Sequence, residues 1–157
     1  MIVSVLGAGT MGHGIAQVSA MAGHQVRLRD VEEALVRDGI DAIEANLEGG
    51  IERDKVTEAE ATATLGRIEG TTDLEMAIED ADLVIEAVPE DLDLKRDVLT
   101  DAEDHAEDGA VLATNTSSLS VTAIADALDR PGRAVGLHFF NPVHVMALVE
   151  VVVPEQT

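Results

Sequence analysis

The chain has 157 residues, which suits one hydrophobic core and leaves no room for a second full domain. Its 31 Asp and Glu against 10 Lys and Arg give a formal charge of −21, which repels phosphate backbones and excludes DNA and RNA as partners. There is no cysteine for disulfide or thiol chemistry, the only aromatics are Phe139 and Phe140, and every long apolar stretch is broken by charge or glycine, so no membrane span is expected.

In chain order, Ile2 to Leu6 predicts a buried strand. Gly7-Ala8-Gly9-Thr10-Met11-Gly12 then turns into a helix running from about Thr10 to Ala22, closed by Gly23-His24. The run before that turn is too short for a signal sequence and has no basic region ahead of it, so a cytoplasmic protein is expected. Gln25 to Arg29 predicts a second strand ending at Asp30, which completes a βαβ unit. From about 31 to 65 the pattern is helical, with an expected interruption at Gly49-Gly50 and a restart near Thr57, where Glu60 completes a capping box; this predicts an inserted helical hairpin arm.

Further strands are predicted at Arg67 to Gly70, Leu83 to Val88, Ala110 to Thr114 and Ala134 to His138, separated by helices beginning near Leu74, Leu92 and Val121. Met146 to Val153 predicts a late strand after a turn at Asn141-Pro142. Regular alternation of strand and helix predicts an α/β fold, a Rossmann-type doubly wound and mostly parallel sheet.

The glycine loop follows a strand, opens a helix and has an acid at the end of the next strand, a context that marks a dinucleotide site. Gly7 permits the tight turn, Gly9 lets the backbone approach a pyrophosphate and Gly12 allows close packing of helix on strand. Free N–H groups at the helix start favour the phosphates. Asp30, 18 residues after Gly12, can accept hydrogen bonds from the ribose hydroxyls and would repel a 2′-phosphate, so NAD is expected in preference to NADP.

Three stretches go beyond that loop: Ile85-Glu86-Ala87-Val88-Pro89-Glu90 with Lys95, Asn115-Thr116-Ser117-Ser118-Leu119, and Gly136-Leu137-His138-Phe139-Phe140-Asn141-Pro142. With Leu148-Val149-Glu150-Val151-Val152, they resemble the N-terminal NAD-binding domain of 3-hydroxyacyl-CoA dehydrogenases. The resemblance implies that His138 is the general base and Glu150 the carboxylate that holds it. It further implies that Ser117 lies beside the substrate hydroxyl, that Asn141 lies near the nicotinamide and the base, and that Gly7, Ala8, Gly9, Thr10, Met11, Gly12, Asp30, Glu90, Lys95, Ser117 and Asn141 meet the cofactor. By the same resemblance the substrate pair is 3-hydroxyacyl-CoA and 3-oxoacyl-CoA, and the helical arm helps to hold coenzyme A. The family continues into a helical domain that completes the acyl-CoA pocket and supplies dimer contacts. A homodimer through that domain, or a separate C-terminal partner chain, is therefore expected.

The residues support this chemistry independently. Oxidising a secondary alcohol requires a group to take the O–H proton, and imidazole is well matched to that task near neutral pH. His138 is predicted at the carboxyl end of a strand, where ligands bind in open α/β sheets. Glu150 on the returning segment could fix its tautomer. Where family members often have proline, this chain has His144, a rival imidazole. No metal-ligand spacing occurs. Two other functions remain open: a related dehydrogenase of gulonate or another hydroxy acid, and an NAD-binding half-enzyme without turnover of its own. The acids are spread along the whole chain and only Lys55 and Lys95 are lysines, a surface similar to those of halophilic archaeal proteins.

Overall fold

A computed structural model describes residues 1–157. Its seven strands are β1 (Ile2–Leu6), β2 (Gln25–Arg29), β3 (Ile68–Thr71), β4 (Leu83–Glu86), β5 (Val111–Thr114), β6 (Ala134–Phe139) and β7 (Val149–Val152). They form one sheet in the order β3-β2-β1-β4-β5-β6-β7. Every neighbouring pair is parallel except β6 and β7, which run antiparallel. The helices α1 (Thr10–Met21), α2 (Glu33–Glu52), α3 (Glu58–Gly66), α4 (Leu74–Ile78), α5 (Leu92–His105) and α6 (Val121–Ala125) complete the chain.

Side chains on successive strand residues point to opposite faces, so each buried strand feeds two cores. Val3, Val5 and Ile85 pack on one face with Ile15, Ile43 and Leu47 from α1 and α2. Leu6, Val84 and Leu112 pack on the other with Ile78, Leu99 and Ile124 from α4, α5 and α6. Each fully buried Ile or Leu contributes about 1.5–3 kcal/mol relative to leaving it exposed. The doubly wound sheet is therefore as expected, and no helix is long and apolar enough to cross a membrane.

Three local expectations need correction. Gly49-Gly50 does not interrupt the second helix; α2 continues to Glu52, and the break falls at Arg53 to Thr57. Gly50 serves packing there: a Cβ on it would lie 2.9 Å from Val56 Cγ2, and its carbonyl accepts from the Lys55 amide at 2.9 Å. The restart is the expected capping box, with Glu60 N donating to Thr57 Oγ1 at 3.1 Å and Thr57 N to Glu60 Oε2 at 2.9 Å. The α2–α3 hairpin lies against the body of the domain, with Ile43, Leu47 and Ala61 in the core.

The strand expected through Val88 stops at Glu86, because the Val88 amide turns back to bond Glu86 Oε1 at 2.7 Å. The last strand is shorter than expected, Val149 to Val152, and is exposed along its length. Val145, Leu148, Val151 and Val153 are each more than half exposed, at 64%, 55%, 63% and 62%.

Candidate active site

A cleft of about 960 Å³ opens where the chain leaves the carboxyl ends of β1, β2, β4, β5 and β6. Helices leave β1 and β4 on opposite faces of the sheet, so the cleft sits at the switch point of the strand order.

The glycine loop forms its floor, and each glycine has a distinct reason. Gly7 has φ of +103°, and a Cβ there would lie 2.7 Å from the Ala87 carbonyl oxygen. A Cβ on Gly12 would come within 1.7 Å of the Gly7 carbonyl oxygen, so only glycine lets α1 seat this closely. Gly9 is the opposite case, with no atom within 4 Å of the Cβ position. That open space is where a pyrophosphate can approach the backbone. No side chain caps α1 and its first turn carries no acid, which leaves the leading N–H groups free for an anion. Thr10 is exposed on this loop; Ala8 is buried and Met11 packs against the core, so these two reach the cleft with little more than backbone or a side-chain flank.

Asp30 stands at the end of β2, facing the loop. Its Oδ2 accepts from the Ala8 amide at 2.8 Å and its Oδ1 from the Val31 amide at 2.7 Å. Each carboxylate oxygen keeps a further lone pair for a ribose hydroxyl, so the side chain braces the loop and remains available to a nucleoside.

At the far end, β7 returns beside β6 with His138 directly opposite Glu150. His138 Nδ1 and Glu150 Oε2 are 3.0 Å apart, with the two side chains 21% and 57% exposed. Pairing at Nδ1 leaves the other ring nitrogen to act on a ligand, and the Phe140 ring lies 4.4 Å away centroid to centroid, tilted by 46°. Ser117 and Asn141 are exposed and line the same cleft. His144 does not line it; it borders a second cleft of about 470 Å³ with Gln17, Asn46, Arg53 and Lys55. Burial and the neighbouring Arg53 and His13 push the His144 pKa below its ordinary value.

Lys95 and Glu90 both line the cleft, and both are also engaged by groups of the protein itself. The Lys95 side chain is 1% exposed, and Nζ donates to Glu86 Oε1 at 2.8 Å and Val88 O at 3.0 Å, with Glu90 Oε2 at 3.4 Å. Glu86 is fully buried and also accepts from Thr114 Oγ1 at 2.7 Å. Glu90 is partly exposed and lines the cleft, with Oε1 turned to the turn that carries Ser117. Sequence reasoning quoted Glu86 and Asn115 within the family stretches but gave neither a role; Asn115 Oδ1 accepts from the Phe139 amide at 2.9 Å. An acid inside an apolar parallel strand was the available signal for Glu86, since such a group is buried only with a partner.

Residues 2–157 match the family described as "3-hydroxyacyl-CoA dehydrogenase, NAD binding domain". The chain belongs to this family. Its members bind NAD, and the open backbone at Gly9, the uncapped α1 and Asp30 fit that cofactor. This NAD-binding domain is 46% identical over 150 residues to the 3-hydroxyadipyl-CoA dehydrogenase of Escherichia coli, covering 96% of the chain and 31% of that protein. It is 46% identical over 151 residues to the 3-hydroxybutyryl-CoA dehydrogenase of Mycobacterium tuberculosis, covering 96% of the chain and 52% of the relative. Among solved structures, the (S)-3-hydroxybutyryl-CoA dehydrogenase of Ralstonia eutropha superposes with a TM-score of 0.96 at 41% identity, covering 99% of the chain and 55% of the other. The chain thus spans from about a third to just over half the length of these relatives.

Proposed function

We propose that this domain serves the NAD-dependent oxidation of (S)-3-hydroxyacyl-CoA to 3-oxoacyl-CoA, with His138 as general base oriented by Glu150. The observation that carries the proposal is the 3.0 Å pairing of His138 with Glu150 across adjacent strands, at the edge of a cleft built for a dinucleotide. The Glu150 carboxylate holds the proton on Nδ1, so the remaining ring nitrogen is the acceptor for the substrate O–H proton. As imidazolium forms, the adjacent carboxylate offsets its charge. Ser117 and Asn141 supply polar groups to hold the hydroxyl and orient it toward the base. NAD, when bound, supplies the hydride acceptor, and the glycine loop with Asp30 holds its adenosine half.

The acyl-CoA substrate is favoured over a small hydroxy acid by the second cleft. Arg53 and Lys55 both line it in a chain with only ten Lys and Arg, an arrangement suited to the phosphates of coenzyme A. The test is reduction of acetoacetyl-CoA by NADH, beside oxidation of gulonate and other hydroxy acids lacking coenzyme A. Turnover restricted to the CoA ester is expected; turnover of the free acids alone would refute it. In a complete enzyme containing this domain, His138→Gln should lower acetoacetyl-CoA turnover by about 10²–10⁴-fold and leave NADH affinity nearly unchanged, since the base is needed for the proton and not for the pyrophosphate. A loss below about tenfold would assign the base elsewhere.

A further inference from the structure

We propose that Glu90 is a positioning residue that ties the turn carrying Ser117 to the floor of the dinucleotide cleft. The proposal rests on the assignment of Ser117 to the substrate hydroxyl. One carboxylate oxygen, Glu90 Oε1, gathers four donors from that turn: the Thr116 hydroxyl, the Ser117 amide at 3.3 Å, the Ser118 amide at 3.4 Å and the Ser118 hydroxyl at 3.3 Å. An ionised acceptor is the strong partner for such a cluster. The turn is also held by Leu119 N on Thr116 Oγ1 at 3.0 Å.

The other oxygen fixes where Glu90 itself stands. Oε2 faces Lys95 Nζ at 3.4 Å, and that ammonium is pinned by Glu86 Oε1 and Val88 O. Glu86 in turn accepts from Thr114, the last residue of β5 and the root of the serine turn. The path Thr114–Glu86–Lys95–Glu90–Thr116 therefore closes on itself around the end of β5. The buried Glu86–Lys95 pair is satisfied by Thr114 and the Val88 backbone, so it gives Glu90 a fixed anchor, and the Glu90 Oε1 oxygen finds its donors only when this turn is in place. Asn115, within the same turn, accepts from the Phe139 amide beside His138, so the turn is referenced to the base as well. Lys95, which borders the cleft with its side chain 1% exposed, fixes Glu90 from its place between Glu86 and Val88 O.

The experiment compares Glu90→Ala, Glu90→Gln and Thr116→Val in the intact protein. It follows amide hydrogen exchange at Ser117 and Ser118, the kcat and KM for acetoacetyl-CoA, and the KM for NADH. Glu90→Ala should speed exchange at both amides by about tenfold or more, as local opening becomes easier. It should also lower kcat by about tenfold or more while the NADH KM changes by less than about threefold, because misplacing an orienting group costs rate and leaves the pyrophosphate loop untouched. Glu90→Gln keeps an acceptor at Oε1 and should recover part of both effects, and Thr116→Val should move both in the same direction as Glu90→Ala by less. Unchanged exchange in Glu90→Ala overturns the proposal. So does a raised NADH KM at constant kcat, which would make Glu90 a cofactor contact only. If a complete enzyme containing the unmodified domain fails to turn over acetoacetyl-CoA, the functional assignment fails, and the exchange rates alone still decide whether Glu90 holds the turn.

Discussion

Asp30 shows how one side chain can serve the fold and a ligand together. Its two oxygens already accept the Ala8 and Val31 amides, so the carboxylate cannot swing away to admit an additional phosphate. NADH should therefore bind far more tightly than NADPH, and Asp30→Ala should narrow the gap by up to a few kcal/mol, the scale of a like-charge contact. Fluorescence titration with both nucleotides measures this, and equal affinities in the unmodified protein would contradict it. The acid was legible in the sequence because its cue is local: a charged residue closing a strand, at fixed spacing from a glycine loop. The burial of Lys95 was not legible. Its helix, α5, is polar on average, and its partners Glu86 and Glu90 come from the preceding strand and turn, so sequence alone left the lysine in solvent or on the cofactor.

Among the elements, α1 depends most on a single contact. Its seat on β1 is as close as the Gly12 position allows, and Gly12→Ala would place a methyl 1.7 Å from the Gly7 carbonyl oxygen. Backbone, not a flexible side chain, would have to move, and the loop that it shifts is the pyrophosphate seat. Such overpacking costs typically about 1–3 kcal/mol or more, so melting temperature and NADH affinity should fall together. Gly66→Ala, at a position with no atom within 4 Å of the added carbon, should change neither. The parallel strands were legible because turn signals bound each, with β1 and β5 read as apolar runs and β2 as an alternating one. The end of α2 was not, since Gly49-Gly50 looks like a breaker in sequence, whereas Gly50 answers a tertiary need, the approach of Val56. The pairing of His138 with Glu150 was legible only as a possibility of reach; the antiparallel register of β6 and β7 makes it a direct cross-strand pair.

Over the whole molecule the charge of −21 is the dominant property. Carboxylates repelling across one small domain favour expansion, and dissolved ions reduce that repulsion over a screening length of about 10 Å at 0.1 M salt. We expect the melting temperature to rise steeply with salt, as for a salt-adapted surface; a midpoint constant across the series would remove that interpretation. The last strand gives the molecule a further property. Glu150 lies on the edge of the sheet, held by a neighbouring strand on one side only, while the glycine loop and Asp30 follow directly on β1 and β2, which lie within it. Sheet edges open at lower free energy than interiors. Warming should therefore detach the orienting carboxylate before it disturbs the nucleotide, so that chemistry fails at a lower temperature than NADH binding. Activity and nucleotide fluorescence recorded through the same temperature ramp would separate the two transitions, and coincident losses would show that the edge strand stays bound as long as the rest. Whatever covers β7 would then govern the reaction rate without touching either ligand, because it would set how long the imidazole keeps its partner.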